Sequence, residues 1–223
     1  MKTNLQYALG AVAVMAGSAD AAVQVATIDN FATAFDTGVS PGFTYGDRRS
    51  DNQTGLSLPS GFSIRYATAA GTGSRLFSSG SGAVSGSVAN GSGGFAQLYY
   101  GVDWPRGAPA INLSNPALSI QLSNLSGGTL KFTLTVYTYT GGWSTCVVEN
   151  VGSNGVIAFN TASFVGDSFF GAANWSQITD LALKVENTSS GIAQFGLSNF
   201  SVPAPGAVAL LGAAGLGGRR RRA

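Results

Sequence analysis

Apolar and polar residues alternate with period two along much of the chain. Leu130, Phe132, Leu134 and Val136 take every second place, with Thr129, Lys131, Thr133 and Thr135 between them. Leu118, Ile120 and Leu122 repeat the pattern, as do Leu181, Leu183 and Val185, and Phe195 with Leu197. Phe62, Ile64 and Tyr66 mark an earlier strand, and residues 94–100 another. Period two places successive side chains on opposite faces of a strand, so each run predicts a half-buried β-strand. Gly127-Gly128, Gly141-Gly142 and Asn154-Gly155 stand between successive runs. Such pairs accept the positive φ of a hairpin turn. No window has the 3.6-residue period of a soluble helix. Many short strands with glycine-rich turns predict an all-β body, a β-sandwich or jelly roll, over residues 22–202. Residues 71–93 are rich in Gly and Ser, with Val84 and Val88 as faint strand signals. They read as an exposed edge hairpin or a mobile loop.

The two ends break the alternation. Residues 1–21 carry a basic Lys2, an apolar run from about Tyr7 to Met15, and Ala19-Asp20-Ala21. This is the layout of a secretory signal peptide with an A-x-A cleavage site. Residues 203–223 have three parts. Val202-Pro203-Ala204-Pro205-Gly206 comes first, then an uncharged stretch over 207–218, then Arg219, Arg220, Arg221 and Arg222. Pro203 and Pro205 fix their own φ and push Val202 and Ala204 out of the α region, so the motif is extended. The uncharged stretch suits a short transmembrane helix. At 1.5 Å per residue it covers about 20 Å of an about 30 Å hydrocarbon core. The arginines set a cytoplasmic stop and leave the body on the outer side.

The Pro-x-Pro motif, the small-residue helix and the terminal Arg run together resemble the PEP-CTERM sorting signal of Gram-negative bacteria. Ala204 stands where the family motif has Glu, as in its VPAPGA-like variant. The resemblance covers about 20 residues and implies recognition by an exosortase, a membrane transpeptidase-like enzyme. It implies export through the inner membrane, transient membrane anchoring, cleavage at the motif, and arrival at the cell surface or extracellular matrix. A Gly-Gly tail of the rhomboid-processed kind is the rival, because Gly217-Gly218 precede the arginines; in that family the glycines come before the helix. In the body, Ile28-Asp29-Asn30-Phe31 and residues 197–202 are similar to the paired terminal strands of galactose-binding-type jelly rolls. Some members of that family bind sugars and some hold calcium.

Processing changes the charge. The whole chain carries 12 basic and 10 acidic residues. Between 22 and 204 there are seven basic and nine acidic residues, a net −2. The basic balance therefore belongs to the tail, and nucleic acid is not an expected partner. The 44% hydrophobic content argues for a folded chain, since disordered chains are poorer in apolar residues. Cys146 is the single cysteine and lies in an alternating run, which predicts a buried thiol.

The chain has no His. That removes His-based triads, HExxH zinc sites and His general bases. No Walker loop or dinucleotide fingerprint is present, no catalytic residue stands out, and the body reads as non-enzymatic. A secreted carbohydrate-active hydrolase built on a carboxylate pair is the alternative. Aromatic residues are the candidate glycan-binding groups. Tyr137 and Tyr139 share parity with Thr133 and Thr135, opposite Leu134 and Val136. Trp143 follows the Gly141-Gly142 turn, and Trp104 lies in a proline-containing loop. Exposed rings can stack on the C–H faces of sugars, as they stack on bases; core or rim packing is the competing reading. Packing is the expectation for Trp175. Exopolysaccharide is the partner such a face implies. Asp29, Asn30 and Asn199 supply hard oxygens near both chain ends, a candidate calcium set, while Asx residues there also cap turns. No other cofactor is indicated.

Overall fold

A computed structural model of the protein describes residues 27–38, 44–45, 48–91, 93–102, 112–113, 118–138 and 141–202. The signal-peptide segment, the tail from Pro203 onward, Trp104 and Tyr139 lie outside the described residues. No helix among the described residues is long and apolar enough to cross a membrane.

The described body is almost wholly β-structure in two antiparallel sheets. Fifteen strands are numbered in chain order. The first sheet runs β12(Gly155–Phe159), β9(Leu118–Ser126), β15(Ile192–Ser201), β7(Ala83–Ala89), β6(Arg75–Ser78) and β2(Phe35–Asp36), with β1(Thr27–Asp29) also pairing to β15. The second runs β13(Val165–Gly166), β11(Trp143–Val151), β10(Leu130–Thr138), β14(Ile178–Asn187), β8(Phe95–Gly101), β5(Ile64–Ala70), β4(Arg48–Gln53) and β3(Thr44–Tyr45). The two inner faces close on one hydrophobic core, which makes the body a β-sandwich.

Strand β10 has the alternation expected of it. Leu130, Phe132, Leu134 and Val136 are fully buried, and the residues between them face outward. Leu181, Leu183 and Val185 on β14 bury in register with them. The hairpin between β10 and β11 turns at Gly141, whose φ of 90° an L side chain resists. The first and last strands of the described body meet: Thr27 pairs with Ser201 and Asp29 with Phe200. Cys146 is buried on β11, and burial pushes its thiol pKa up, so it behaves as a small core side chain. Trp175 packs against the core and meets Phe164 edge-on at 4.9 Å.

Two sequence expectations change. The hairpin reading of residues 71–93 holds, as β6–β7, but it is not a free edge: β7 is held between β6 and β15, and β6 pairs with β2. Leu76, Val84 and Val88 supply the hairpin's buried face, enough to fix a strand in spite of the surrounding glycine and serine. On β5 the inward residues are Arg65, Ala67 and Ala69, so Ile64 and Tyr66 point out. An arginine faces the core because it has a buried partner. Its Nη1 donates to Asp29 Oδ2 at 2.6 Å, and both side chains are fully enclosed. Its Nη2 donates to Thr33 O and to Gln53 Oε1, each at 2.6 Å, and the guanidinium lies 4.6 Å from the Phe35 ring.

Candidate glycan-binding face

The outer face of the second sheet collects the aromatic residues. Directly opposed residues of neighbouring strands share a face, so the register defines rows across the sheet. One row reads Trp143, Tyr137, Asp180, Gly101 and Ile64. The next reads Thr145, Thr135, Ala182, Tyr99, Tyr66 and Asn52. The third carries Val147, Thr133, Lys184, Gln97 and Thr68.

The first two rows interlock. Tyr66 and Tyr99 stack with centroids 5.7 Å apart and planes 12° from parallel. Tyr99 leans over Gly101, where a Cβ would come within 3.3 Å of its Cε1 and 2.8 Å of Asp180 Oδ1. A side chain at that position would close the approach. The Tyr99 hydroxyl therefore reaches across and donates to Asp180 Oδ1. Tyr137 stands directly opposite Asp180 and meets Trp143 edge-on at 5.9 Å. The band continues off the sheet edge: Trp143 lies 4.8 Å from Phe170, and Phe170 lies 4.8 Å from Phe169. From β5 to β11 the strip crosses four strand spacings, about 19 Å.

The 167–171 loop holds the last two rings in place. Asp167 Oδ1 accepts from the backbone N–H of Phe169 at 2.8 Å and of Phe170 at 2.7 Å. Trp143 N donates to Gly171 O, and Asp167 N donates to Trp143 O. Phe169 is 86% exposed and Phe170 54%. Rings this exposed contribute little to the core.

Electrostatics separate the two ends of the face. Partial burial, then the nearby Asp180 carboxylate, push the Tyr99 hydroxyl far above the usual tyrosine range. Tyr137 is raised by the same two causes, burial first. Both hydroxyls thus stay protonated as hydrogen-bond donors. At the other end Glu186 sits between Lys131 and Lys184, at 2.9 and 2.8 Å. Burial would raise its pKa, but hydrogen bonds from the two lysines outweigh that and hold it low. Arg48 and Lys184 flank the Phe95 ring at 5.2 and 5.1 Å. That end carries three cations, Lys131, Lys184 and Arg48, against the one Glu186 carboxylate, whereas the Tyr–Trp end carries two carboxylates, Asp180 and Asp167.

Of the four residues marked from sequence as glycan-binding, Tyr137 and Trp143 come together here. Tyr66, Tyr99, Phe169 and Phe170 were missed. Tyr99 was legible in the doublet Tyr99-Tyr100: with Ala96, Leu98 and Tyr100 inward, its neighbour must face out. The calcium set does not assemble around Asp29. One carboxylate oxygen faces Arg65, and the other accepts Phe31 N at 2.7 Å. A cation there would meet a guanidinium in hydrogen-bond contact with its ligand. Asn30 Oδ1 instead accepts Ala32 N in an Asx turn, and Asn199 sits in the left-handed region on β15 with φ 50°. Among the described residues no group of three acidic, Cys or His side chains is placed to hold a metal.

The fold defines a β-sandwich domain. No family model matches the chain, and no curated protein matches it. Among solved structures it is similar to an agarase, AgWH50C, at 10% identity over 82% of this chain, with a TM-score of 0.40. The chain spans 27% of that agarase chain. It is also similar to the family 11 carbohydrate-binding module of the cellulosomal cellulase Lic26A-Cel5E of Clostridium thermocellum. Identity there is 13%, over 79% of this chain and 92% of that one, with a TM-score of 0.37. The xyloglucanase domain of NopAA, a type three effector from Sinorhizobium fredii in complex with cellobiose, matches at 11% identity. It covers 76% of this chain and 98% of that one, with a TM-score of 0.32. Likeness of this degree assigns no function.

Proposed function

We propose that this protein is an exported, non-enzymatic surface or matrix protein whose sandwich holds exopolysaccharide on the outer face of the second sheet. The observation that carries the reading is the aromatic band from Tyr66 to Phe169, with Asp180 and two protonated tyrosine hydroxyls set into it. Sugars present apolar C–H faces and rims of hydroxyls. Rings take the first, and the Asp180 carboxylate with the Tyr137 hydroxyl takes the second, the Tyr99 proton being held by Asp180. The band is long and open, which suits a chain better than a small molecule. The terminal signals supply the address: export by the leader, then exosortase recognition of Val202-Pro203-Ala204-Pro205-Gly206 before the membrane helix and Arg stop.

Retention on a column of exopolysaccharide from the producing cells tests the binding half. Tyr99→Ala with Trp143→Ala should lose retention, since stacked aromatics are each worth about 1–3 kcal/mol by truncation. Unchanged retention rejects the face, and release of new reducing ends by the wild-type protein supports the hydrolase instead. Mass spectrometry of the surface-released protein tests the sorting half. The expected mature form lacks Arg219, Arg220, Arg221 and Arg222; a released form that keeps them rejects cleavage at the motif.

A further inference from the structure

The outer face of the first sheet carries a groove that the aromatic face does not use. It has a volume of about 430 Å³ and is lined by Arg75 and Phe77 on β6, Ser85 and Gly86 on β7, Gln194 on β15, and Asn124 on β9. It therefore crosses four neighbouring strands. Phe77 is 40% exposed, and its ring stands on the outer face, opposite Ser85 in the register. Arg75 lies 5.6 Å from that ring, with its guanidinium joined to the Asp36 carboxylate.

The far wall is shaped by a bulge. Between β15 and β9, Gln194 pairs with Ser126 but Gly196 pairs with Ser123, so β9 holds an extra residue there. Asn124 sits in the bulge with φ 53°, and Leu125 N is capped by Asn154 Oδ1 at 2.8 Å. Bulges of this kind re-aim a side chain out of the pleat. The groove thus has the exposed Phe77 ring on one wall and two carboxamides, Asn124 and Gln194, on the other, with the buried Phe195 also in its lining.

We propose that this groove is a second carbohydrate site, for an uncharged oligosaccharide segment. The ring fits a C–H face, and carboxamides both donate and accept, as hydroxyls require. An anionic ligand is not favoured, because Asp36 neutralises the cation at the rim. The two sheets of a sandwich present their outer faces in opposite directions. A chain with a site on each face holds two polysaccharide strands at once, and it cross-links them by simple bivalency. The groove's own binding goes beyond the reading of the Tyr–Trp face, while the cross-linking rests on it.

The test uses the full-length protein with agarose, mixed-linkage β-glucan, xyloglucan and the producer's exopolysaccharide. Phe77→Ala and Gln194→Ala remove groove contacts at exposed positions; Tyr99→Ala with Trp143→Ala removes the other face. On at least one of these polysaccharides the wild type should bind two oligosaccharides per chain and raise the solution viscosity. Each groove variant should weaken one of the two sites on the order of tenfold. It should keep the other site, lose the viscosity rise, and melt as the wild type does. Two sites persisting unchanged in both groove variants would overturn the proposal. So would an absence of binding to all four polysaccharides, which also removes the first reading. One site surviving in the Tyr99→Ala, Trp143→Ala protein and lost on adding Phe77→Ala supports the groove. If that double variant keeps both sites, the groove is tested by Phe77→Ala alone and the aromatic face is rejected.

Discussion

Arg65→Met is expected to cost about 3–5 kcal/mol of stability, the range for breaking a buried ion pair by removing one partner. The side chain is fully enclosed and holds four pieces of the fold together. It donates to Asp29 on β1, to the Thr33 carbonyl in the following loop, and to Gln53 on β4, from its own place on β5. Since β1 pairs with β15, the guanidinium also ties the first sheet to the second. Methionine fills much of the volume but leaves the Asp29 carboxylate buried without its counter-charge, with the Phe31 N–H still donating to it. The melting temperature should fall by about 10 °C or more for a chain of this size. Asp29→Leu placed in the same protein should restore part of the loss, because replacing both partners with apolar groups removes the stranded charge. A small effect of the single variant, or a double variant worse than additive, contradicts the role given to the pair. Thermal unfolding followed by circular dichroism decides it.

Leu134→Ala is the second large effect. Leu134 is fully buried at the centre of β10, with Leu183 on one side and Cys146 on the other, both buried. Truncation leaves a cavity among strands that cannot easily collapse, so the expected cost is about 2–5 kcal/mol. Thr133, one residue away, points to the outer face beside Lys184. Thr133→Ala should stay within about 0.5 kcal/mol, as most surface changes do. Denaturant melts of the two variants compare the faces of a single strand. Equal costs would reject the assignment of inner and outer faces on which the candidate site rests.

The sandwich was legible where one face of a strand is apolar and the other polar. Strand β10 is the clearest case, and β9, β14 and β15 follow it. The reading weakened on β5 because its chemistry is inverted. The core side carries Arg65 and alanines, and the outer side carries Ile64 and Tyr66. A period-two argument assigns the larger apolar residues inward and cannot see that Asp29, 36 residues earlier in the chain, supplies a buried counter-charge. The same limit hid part of the site. Parity and the preceding turn point to Tyr137 and Trp143, whereas for Tyr66 the alternation marks a strand without showing which of its faces is outward. Phe169 and Phe170 sit in a loop with no alternation; their only signal was a pair of large rings between turn-forming residues. The calcium set failed for the converse reason. Residue type alone placed three oxygens near the chain ends, and the fold used one carboxylate to balance an arginine.

The proposed glycan-binding role of the Tyr–Trp outer face of the second sheet has a direct test. The direct measurement is a nuclear magnetic resonance titration of the protein with oligosaccharides released from the producer's exopolysaccharide. The ring resonances of Tyr66, Tyr99 and Tyr137 and the indole of Trp143 should shift together and saturate at one ligand concentration, while those of the buried Phe62 and Phe132 stay fixed. Binding that saturates with the Tyr66, Tyr99, Tyr137 and Trp143 signals unmoved, or no binding at all, would contradict the account.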